Sequence, residues 1–158
     1  MPIHDVTKRR EDLELITNYD LIASAHALLE GIELDVASSK VANTYVEADS
    51  YFTPSDDGLN CQQWYGNVYL FPPSGAYFWD KKNDKWKMTR ASSPSLTSSH
   101  AVWFRKLYTS WLAKEVKQGL YFTNCPDMIR YEQKIFDFPI CILKTCLLYT
   151  SDAADDRM

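Results

Sequence analysis

The order of segments along the chain predicts an α/β domain built on a mostly parallel sheet with helices on both faces. Amphipathic helical stripes alternate with short apolar runs, and Gly or Pro bounds most of those runs. Of the 158 residues, 46% are hydrophobic and 24% are charged, as in an ordinary globular chain that forms a single domain. Ligand sites in such domains lie at the carboxyl ends of the strands.

The first half of the chain predicts helix, strand, helix and strand. The apolar stripe of "LIASAHALLE" follows capping side chains and stops at Gly31, which is typical of an amphipathic helix. "IELD" alternates apolar positions as a short strand does, and "VYLF" indicates a covered strand that must stop at Pro72. The resulting predictions are a helix over 21–30, a strand over 32–35, a helix over 36–46 and a strand over 68–71.

An insertion of a hairpin and a loop, around residues 76–97, separates the two halves. Two aromatic runs flank Asn83-Asp84, which predicts a β-hairpin with lysines at its tip, and a loop rich in Ser, Thr and Pro follows. Ser98 or Ser99 then caps a long amphipathic helix that Gly119 is expected to end. The remaining predictions are a helix to about 117, a strand over 120–124, a short helix over 125–136 and a strand over 138–143.

Charge is distributed unevenly on a chain whose formal net charge is −4. Residues 79–118 carry nine Lys and Arg against three Asp and Glu, whereas residues 1–60 carry four against twelve. Cations interleaved with aromatics suit stacking on unpaired bases and contact with phosphates. They equally suit a hairpin that packs its rings on the core and leaves its charges in solvent. The nucleic-acid-binding residues predicted from this pattern are Trp79, Lys81, Lys82, Lys85, Lys87 and Arg90.

Several other classes of protein are disfavoured by the sequence. The four cysteines form no CxxC pair and no zinc spacing, so we predict reduced thiols and no metal site. The three histidines accompany no GxSxG motif, and we assign them structural or solvated roles. The charged first fifteen residues and the absence of an apolar run of roughly 18 residues predict a cytoplasmic protein without a membrane partner.

Polar or unusual groups follow three of the predicted strands. Asp35 ends the first, the turn Phe71–Ser74 ends the second, and Asn124 ends the third. Because the carboxyl ends of parallel strands meet at one edge of a sheet, we expect these groups to converge on one crevice. Each has an ordinary alternative, since Asp and Asn at strand ends commonly cap helices or form turns.

The stretch "DLIASAHALLEGIELDVASSKVANTYVEADSYFTPSDDGLNCQQWYGNVYLFPPSG" resembles the phage-type DNA N6-adenine methyltransferase family. Members share a strand ending in Leu-Asp before small residues, an Ala-Asn pair, Tyr-Phe-Thr, Asp-Gly-Leu, Trp-x-Gly and a strand ending in Asn-Pro-Pro-Tyr. The residues here that carry the resemblance are Ile32, Leu34, Asp35, Ala37, Ser38, Ala42, Asn43, Ala48, Tyr51, Phe52, Thr53, Asp57, Gly58, Leu59, Trp64, Gly66, Pro72 and Pro73.

The resemblance implies a Rossmann-like methyltransferase fold that binds S-adenosylmethionine and double-stranded DNA with a flipped adenine. It further implies a monomer, in the host cell cytoplasm if a phage encodes it. In the family, the motif Asn and the first Pro carbonyl accept hydrogen bonds from the adenine N6 amine, while the aromatic stacks on the base. The implied cofactor-binding residues are Asp35, Ala37, Ser38 and Asn43, and the implied catalytic residues are Phe71, Pro72, Pro73 and Ser74.

The chain departs from the family motif at two positions. Phe71 stands where the family has Asn or Asp, and Ser74 stands where it has Tyr or Phe. Phe cannot accept a hydrogen bond, and losing a polar contact to a reacting group typically costs on the order of 10²-fold in rate. Asn124 or Ser74 could replace the missing group. We therefore predict adenine methylation, and keep open a nucleic-acid-binding relative without catalysis and methylation of a different acceptor.

The last thirteen residues differ in character from the rest. "CLLYTSDAADD", which begins at Cys146, looks like the translation of a transposase adapter used in shotgun sequencing libraries. We therefore expect residues 146–158 to be a non-native tail and the methyltransferase-like domain to comprise residues 1–145.

Overall fold

The computed structural model describes residues 19–89 and 95–143. The expectations for Arg90 and for the tail 146–158 lie outside these residues. Within them, no helix is long and apolar enough to cross a membrane. In chain order the elements are α1 (Tyr19–Leu29), β1 (Leu34–Asp35), α2 (Asn43–Val46), β2 (Ser50–Tyr51), β3 (Gly66–Leu70), β4 (Ala76–Asp80), β5 (Lys85–Thr89), β6 (Thr97–Ser98), α3 (Ser99–Leu112) and β7 (Val116–Tyr121), with 3₁₀ turns at Pro54–Asp56, Pro126–Arg130 and Gln133–Asp137.

Four strands form a parallel sheet in the order β2-β1-β3-β7. The longest uninterrupted apolar run of the sheet is in β3, which pairs with β1 on one side and with β7 on the other. Its residues Val68–Leu70 are all buried, as expected for a strand with neighbours on both sides. This sheet, with its flanking helices, confirms the α/β class that the sequence predicts.

Alternate residues of β3 belong to two hydrophobic clusters. Val68 and Leu70 pack with α3, whereas Tyr69 packs with α1. Successive side chains of a strand point to opposite sides of a sheet, so one strand can serve both clusters. Each fully buried aliphatic or aromatic side chain contributes roughly 1.5–3 kcal/mol to stability. The partners in the first cluster include Val102, Trp103 and Leu107, and those in the second include Ile22, Ala25 and Leu29.

The inserted hairpin is confirmed as β4 and β5, and β6 extends it into an antiparallel sheet of order β5-β4-β6. At its tip the Asp80 carboxylate accepts hydrogen bonds from Lys82 N at 3.0 Å and Asn83 Nδ2 at 2.6 Å. Asn60, in the loop before β3, also holds the hairpin. Its side-chain amide exchanges two hydrogen bonds with the backbone of Trp86, at 2.9 and 2.8 Å, as a neighbouring strand would.

Lys106 of α3 fastens the loop before β3 to the helix. Its ammonium donates to three backbone carbonyls, those of Gly58 at 2.8 Å, Leu59 at 2.7 Å and Gln62 at 2.6 Å. An ammonium has three N–H donors, so its hydrogen-bonding capacity is filled. Nζ also lies 5.0 Å from the ring centroid of the buried Trp64, a favourable cation–π distance. One side chain thus organises a loop that has little regular structure.

The predicted second helix over 36–46 is wrong at its start, since α2 spans only Asn43–Val46. The residues after Asp35 form a turn instead. Ala37 N donates to Asp35 Oδ1 at 3.3 Å, and Ser38 N donates to Phe52 O at 2.8 Å. The second of these bonds continues the pairing between β1 and β2 past the ends of the two strands. β2 itself has only two residues, which is too short for a sequence pattern to reveal.

The prediction that α3 runs to about 117 and ends at Gly119 is also wrong. The helix begins at Ser99 with Ser98 at the N-cap position, but no side-chain hydrogen bond caps it. It stops at Leu112, because Lys114 adopts a left-handed conformation with φ 62° and Glu115 N bonds back to Ser110 O at 3.1 Å. Gly119 lies within β7, where a Cβ would stand 2.8 Å from Leu107 Cδ1. Its lack of a side chain lets α3 approach the sheet closely.

Three predictions for the C-terminal part of the domain need correction. The strand predicted at 120–124 lies at 116–121, the short helix predicted over 125–136 is a pair of 3₁₀ turns, and the strand predicted over 138–143 pairs with neither sheet. Glu132, between the two turns, directs its carboxylate to Arg105 Nε at 3.1 Å and to Lys134 N at 3.1 Å, which interrupts the helical course. Phe138 precedes a proline and is extended.

We expect Lys106→Met to lower the free energy of unfolding by roughly 2–4 kcal/mol, because three carbonyls lose their shared donor while the apolar stem is kept. Urea denaturation followed by tryptophan fluorescence measures this loss. The matched control is Lys117→Met at an exposed position of β7, which should change stability by less than about 0.5 kcal/mol. Equal effects of the two substitutions would contradict the role assigned to Lys106.

Candidate functional site

The three groups expected to converge follow adjacent strands of the parallel sheet, at the same edge. Asp35 ends β1, Phe71 directly follows β3, and Asn124 comes three residues after the end of β7. The pairing continues past the strand ends, where Val36 N donates to Tyr69 O at 3.4 Å and Phe122 N donates to Leu70 O at 2.8 Å. The segments that leave β1, β3 and β7 are therefore neighbours.

Asp35 is a buried carboxylic acid, with 2% of its surface exposed. Burial raises its pKa to about 6, an effect that hydrogen bonds from the Ser38 side chain and the Ala37 backbone only partly offset. A buried carboxylate without a cationic partner is costly unless hydrogen bonds compensate it. Through these hydrogen bonds the Asp35 carboxylate stabilises the turn after β1. Its charge changes between weakly acidic and neutral pH.

The other expected cofactor-binding residues lie close to Asp35 in the chain but differ in their burial and in their hydrogen-bond partners. Ala37 is half-buried, and Ser38 is buried with its backbone N–H donated to Phe52. Asn43 uses both ends of its amide on the backbone of Ala48, with Nδ2 3.1 Å from the carbonyl and Oδ1 3.0 Å from the N–H. Its amide thus closes the loop after α2, whereas the turn from Asp35 to Ser38 lies at the carboxyl edge.

The diproline turn connects β3 to the hairpin. Pro72 is fully buried, Pro73 is half-buried and Ser74 is exposed. Gly75 then takes φ 129°, a conformation that favours glycine, and its carbonyl accepts from Ser99 N at 3.0 Å. The turn is therefore fixed both by its proline rings and by a hydrogen bond to the start of α3.

Phe71, in the family's Asn position, packs its half-buried ring against the cluster that contains α1. Its ring also meets the His100 imidazole edge to face, with 6.3 Å between centroids and an interplanar angle of 82°. The Phe71 side chain itself offers no hydrogen-bond acceptor. Asn124 and Ser74, the two substitutes that the sequence offers, are both exposed.

His100 also lies at this edge, although the sequence predicts only a structural or solvated role for it. It is 4% exposed, and its Nδ1 lies 2.8 Å from Thr123 Oγ1 just beyond β7. Tyr121 Oη donates to the His100 carbonyl at 3.0 Å. Desolvation lowers the pKa of the imidazole to about 4, so it is neutral at pH 7. No local motif marks it, because only the pairing of β7 with β3 brings Thr123 to the start of α3.

The hairpin presents an exposed tryptophan beside a set of lysines. Trp79 is 44% exposed and meets Trp86 edge to face at 5.3 Å. Lys81 and Lys82 are exposed at the tip, and Lys85 is half-buried. Lys87 forms an ion pair with Asp80, and its hydrogen bond holds the pKa of that carboxyl below the usual range. Among the described residues of the hairpin, the lysines without an ion pair, Lys81, Lys82 and Lys85, therefore lie toward the tip.

Comparison of the chain with family models, with curated proteins and with solved structures found no match. Function is therefore inferred from the residues themselves. One edge of the parallel sheet brings together a buried acid, a rigid diproline turn and a neutral imidazole, and the inserted hairpin carries an aromatic and cationic surface.

We expect Asp35→Asn to stabilise the fold at neutral pH but not in acid. Between the ordinary pKa of 3.8 and the folded value of about 6, the folded chain binds more protons than the unfolded chain, so stability is lost as pH rises through this range. Asn removes the charge and keeps an oxygen for Ala37 N. Unfolding in urea should show a gain of roughly 1–3 kcal/mol at pH 7.5 and almost none at pH 4.

The matched control for this effect is Asp49→Asn, at an exposed position next to β2, which should leave the pH dependence unchanged. A pH-independent effect of Asp35→Asn, or an equal effect of Asp49→Asn, would contradict the assignment of the buried charge to Asp35.

Proposed function

We propose that the chain methylates N6 of adenine in double-stranded DNA with S-adenosylmethionine as the donor. The fold proposed for it is Rossmann-like, with α1 and α3 on opposite faces of the parallel sheet. The observation that carries the proposal is the common edge reached by Asp35, the diproline turn and the segment after β7. Ligand-binding sites of open α/β sheets form at such an edge. Asp35 and the diproline turn also occur in the same order along the chain as the corresponding methyltransferase motifs.

The turn after β1 fits the border of the cofactor. Its residues Ala37 and Ser38 are small, they follow a strand at the carboxyl edge, and Asp35 supplies a carboxylate next to them. Asn43 fits less well, because both ends of its amide bond to Ala48. When bound there, S-adenosylmethionine would supply an electrophilic methyl group. The chain's own part is to border the donor, exclude water and orient the acceptor.

The diproline turn fits the task of holding a flipped base. A Pro-Pro sequence lacks two N–H groups and fixes two φ angles, so the Phe71–Pro72 and Pro72–Pro73 carbonyl groups are held rigidly. The burial of Pro72 and the bond from Ser99 to Gly75 keep the turn in place. A rigid carbonyl that accepts a hydrogen bond from the N6 amine directs the nitrogen lone pair toward the methyl donor.

The hairpin fits a contact with DNA near the displaced base. The exposed face of Trp79 offers a stacking surface, and the tip lysines offer contacts to phosphate. Lys87 adds less, since its charge is balanced by Asp80. The hairpin directly follows the diproline turn in the chain, so a base held by the turn would lie close to the exposed surface of the hairpin.

Binding and transfer by the purified chain test the proposal directly. Calorimetric titration should show that S-adenosylmethionine binds, and mass spectrometry of nucleosides from incubated DNA should show N6-methyladenine. Ala37→Leu, which adds bulk at the turn, should weaken cofactor binding at least about 10-fold. Val41→Leu, an exposed change nearby, should not weaken it. Absence of cofactor binding by the unaltered chain would overturn the proposal.

Trp79→Ala should weaken DNA binding about 5- to 100-fold if its ring stacks on a base. Trp111→Ala is the matched control, because Trp111 is similarly exposed, at 42%, but lies at the end of α3. Replacing Lys81 and Lys82 by Ala should make binding less sensitive to salt, with the slope reduced by roughly 1.5 to 2. Fluorescence anisotropy with a labelled duplex at several salt concentrations measures both effects.

A second function is favoured by the position of Phe71. Its ring packs against the α1 cluster and leaves the family's amide position apolar, which suits a nucleic-acid-binding relative without catalysis. That function predicts DNA binding sensitive to Trp79→Ala together with no N6-methyladenine in the product. Detection of N6-methyladenine excludes it.

A further inference from the structure

The His100 imidazole directly contacts Phe71, the residue in the family's Asn position. The same part of α3 is tied to the diproline turn, since Ser99 N donates to Gly75 O at 3.0 Å. It is also tied to the end of β7, through Thr123 Oγ1 and Tyr121 Oη. His100 therefore stands where the turn after β3, the segment after β7 and the start of α3 meet.

The hydrogen bonds around Thr123 are compatible with a proton on Nδ1 of the His100 imidazole. Cys125 N donates to Thr123 Oγ1 at 3.1 Å, and the hydroxyl proton is directed to Cys125 O at 3.5 Å. When that proton is engaged by Cys125 O, the hydroxyl accepts at the 2.8 Å contact with His100 Nδ1. In this arrangement Nδ1 is the protonated nitrogen, and Nε2 carries a lone pair.

A neutral imidazole suits an acceptor role at this edge. Burial lowers the pKa of His100 to about 4, so the imidazole is neutral at pH 7, and with its one proton on Nδ1 the Nε2 lone pair is free. The contacts to Thr123 and Phe71 hold the ring, and Tyr121 Oη holds the His100 backbone carbonyl. A fixed acceptor in dry surroundings makes a stronger hydrogen bond than one in water.

We propose that His100 Nε2 accepts a hydrogen bond from the exocyclic amine of the base held at the diproline turn, and so replaces the side-chain acceptor that Phe71 lacks. The inference rests on the proposed function, in that the turn must hold an amine-bearing base. Thr123 is the positioning residue, since it fixes both the tautomer and the ring. The site then selects adenine over a purine without the 6-amino group, because only adenine satisfies the buried acceptor.

Binding to two duplexes that differ in one unpaired base tests this contact without any methyl transfer. One duplex carries an unpaired adenine and the other an unpaired purine nucleotide without the 6-amino group. The unaltered chain should bind the adenine duplex about 10-fold more tightly. His100→Phe should bind both equally, while His26→Phe, the control at a histidine of α1 bonded to the Val46 carbonyl, should keep the preference.

Variants at Thr123 separate positioning from folding. Thr123→Ser keeps the hydroxyl and should keep the preference for adenine, whereas Thr123→Val removes it and should reduce the preference at least about 3-fold. His100→Gln restores an amide oxygen and should recover part of the preference if His100→Phe fails to fold. Circular dichroism of each variant checks the fold.

The outcomes distinguish this contact from the proposed function. Adenine preference that depends on His100, without methyl transfer, supports the contact and overturns the methylation. Methyl transfer at an unchanged rate in His100→Phe, or adenine preference retained in that variant, overturns the contact and leaves the methylation standing. An unaltered chain that binds neither duplex, or binds both equally, overturns the contact as well.

Discussion

The parallel pairing of β3 with β1 and β7 is the constraint on which the candidate site depends. It aligns Asp35 with Tyr69 and Leu70 with Tyr121, so three chain segments leave the sheet side by side. A slip of one residue would turn every side chain of β3 to the other face. Val68 and Leu70 would then lose the α3 cluster and Tyr69 the α1 cluster. The two hydrophobic clusters therefore fix the geometry of the edge.

Connections around the edge convert this alignment into a rigid site. The Ser99–Gly75 and His100–Thr123 hydrogen bonds join α3 to the diproline turn and to the segment after β7. Farther along α3, Lys106 holds the loop before β3 through three backbone carbonyls. Elements distant in sequence thus restrain one another, and a catalytic or binding group positioned this way needs little reorganisation to meet a ligand.

The sequence pattern predicts the elements that are long or clearly punctuated, and fails where non-local contacts decide. The apolar run ending at Pro72, the hairpin around Asn83-Asp84 and the helix beginning at Ser99 follow from local chemistry. The end of α3 does not, because a lysine takes the left-handed position that usually marks a glycine. His100 could not be predicted as part of the edge, since its partner Thr123 is 23 residues away in sequence.

Two titratable groups at this edge respond to burial in opposite directions. Burial raises the pKa of Asp35 to about 6 and lowers that of His100 to about 4, so each uncharged form is favoured. Asp35 makes the fold less stable as pH rises from the ordinary pKa of an aspartate, 3.8, to the folded value of about 6. His100 makes the fold more stable as pH rises from its folded pKa of about 4 to the ordinary 6.5, so the two effects oppose each other. At neutral pH His100 is neutral and Asp35 carries a costly buried charge. Any ligand that brings positive charge or N–H donors beside Asp35 lowers its pKa, so ligand binding and ionisation at this edge are coupled.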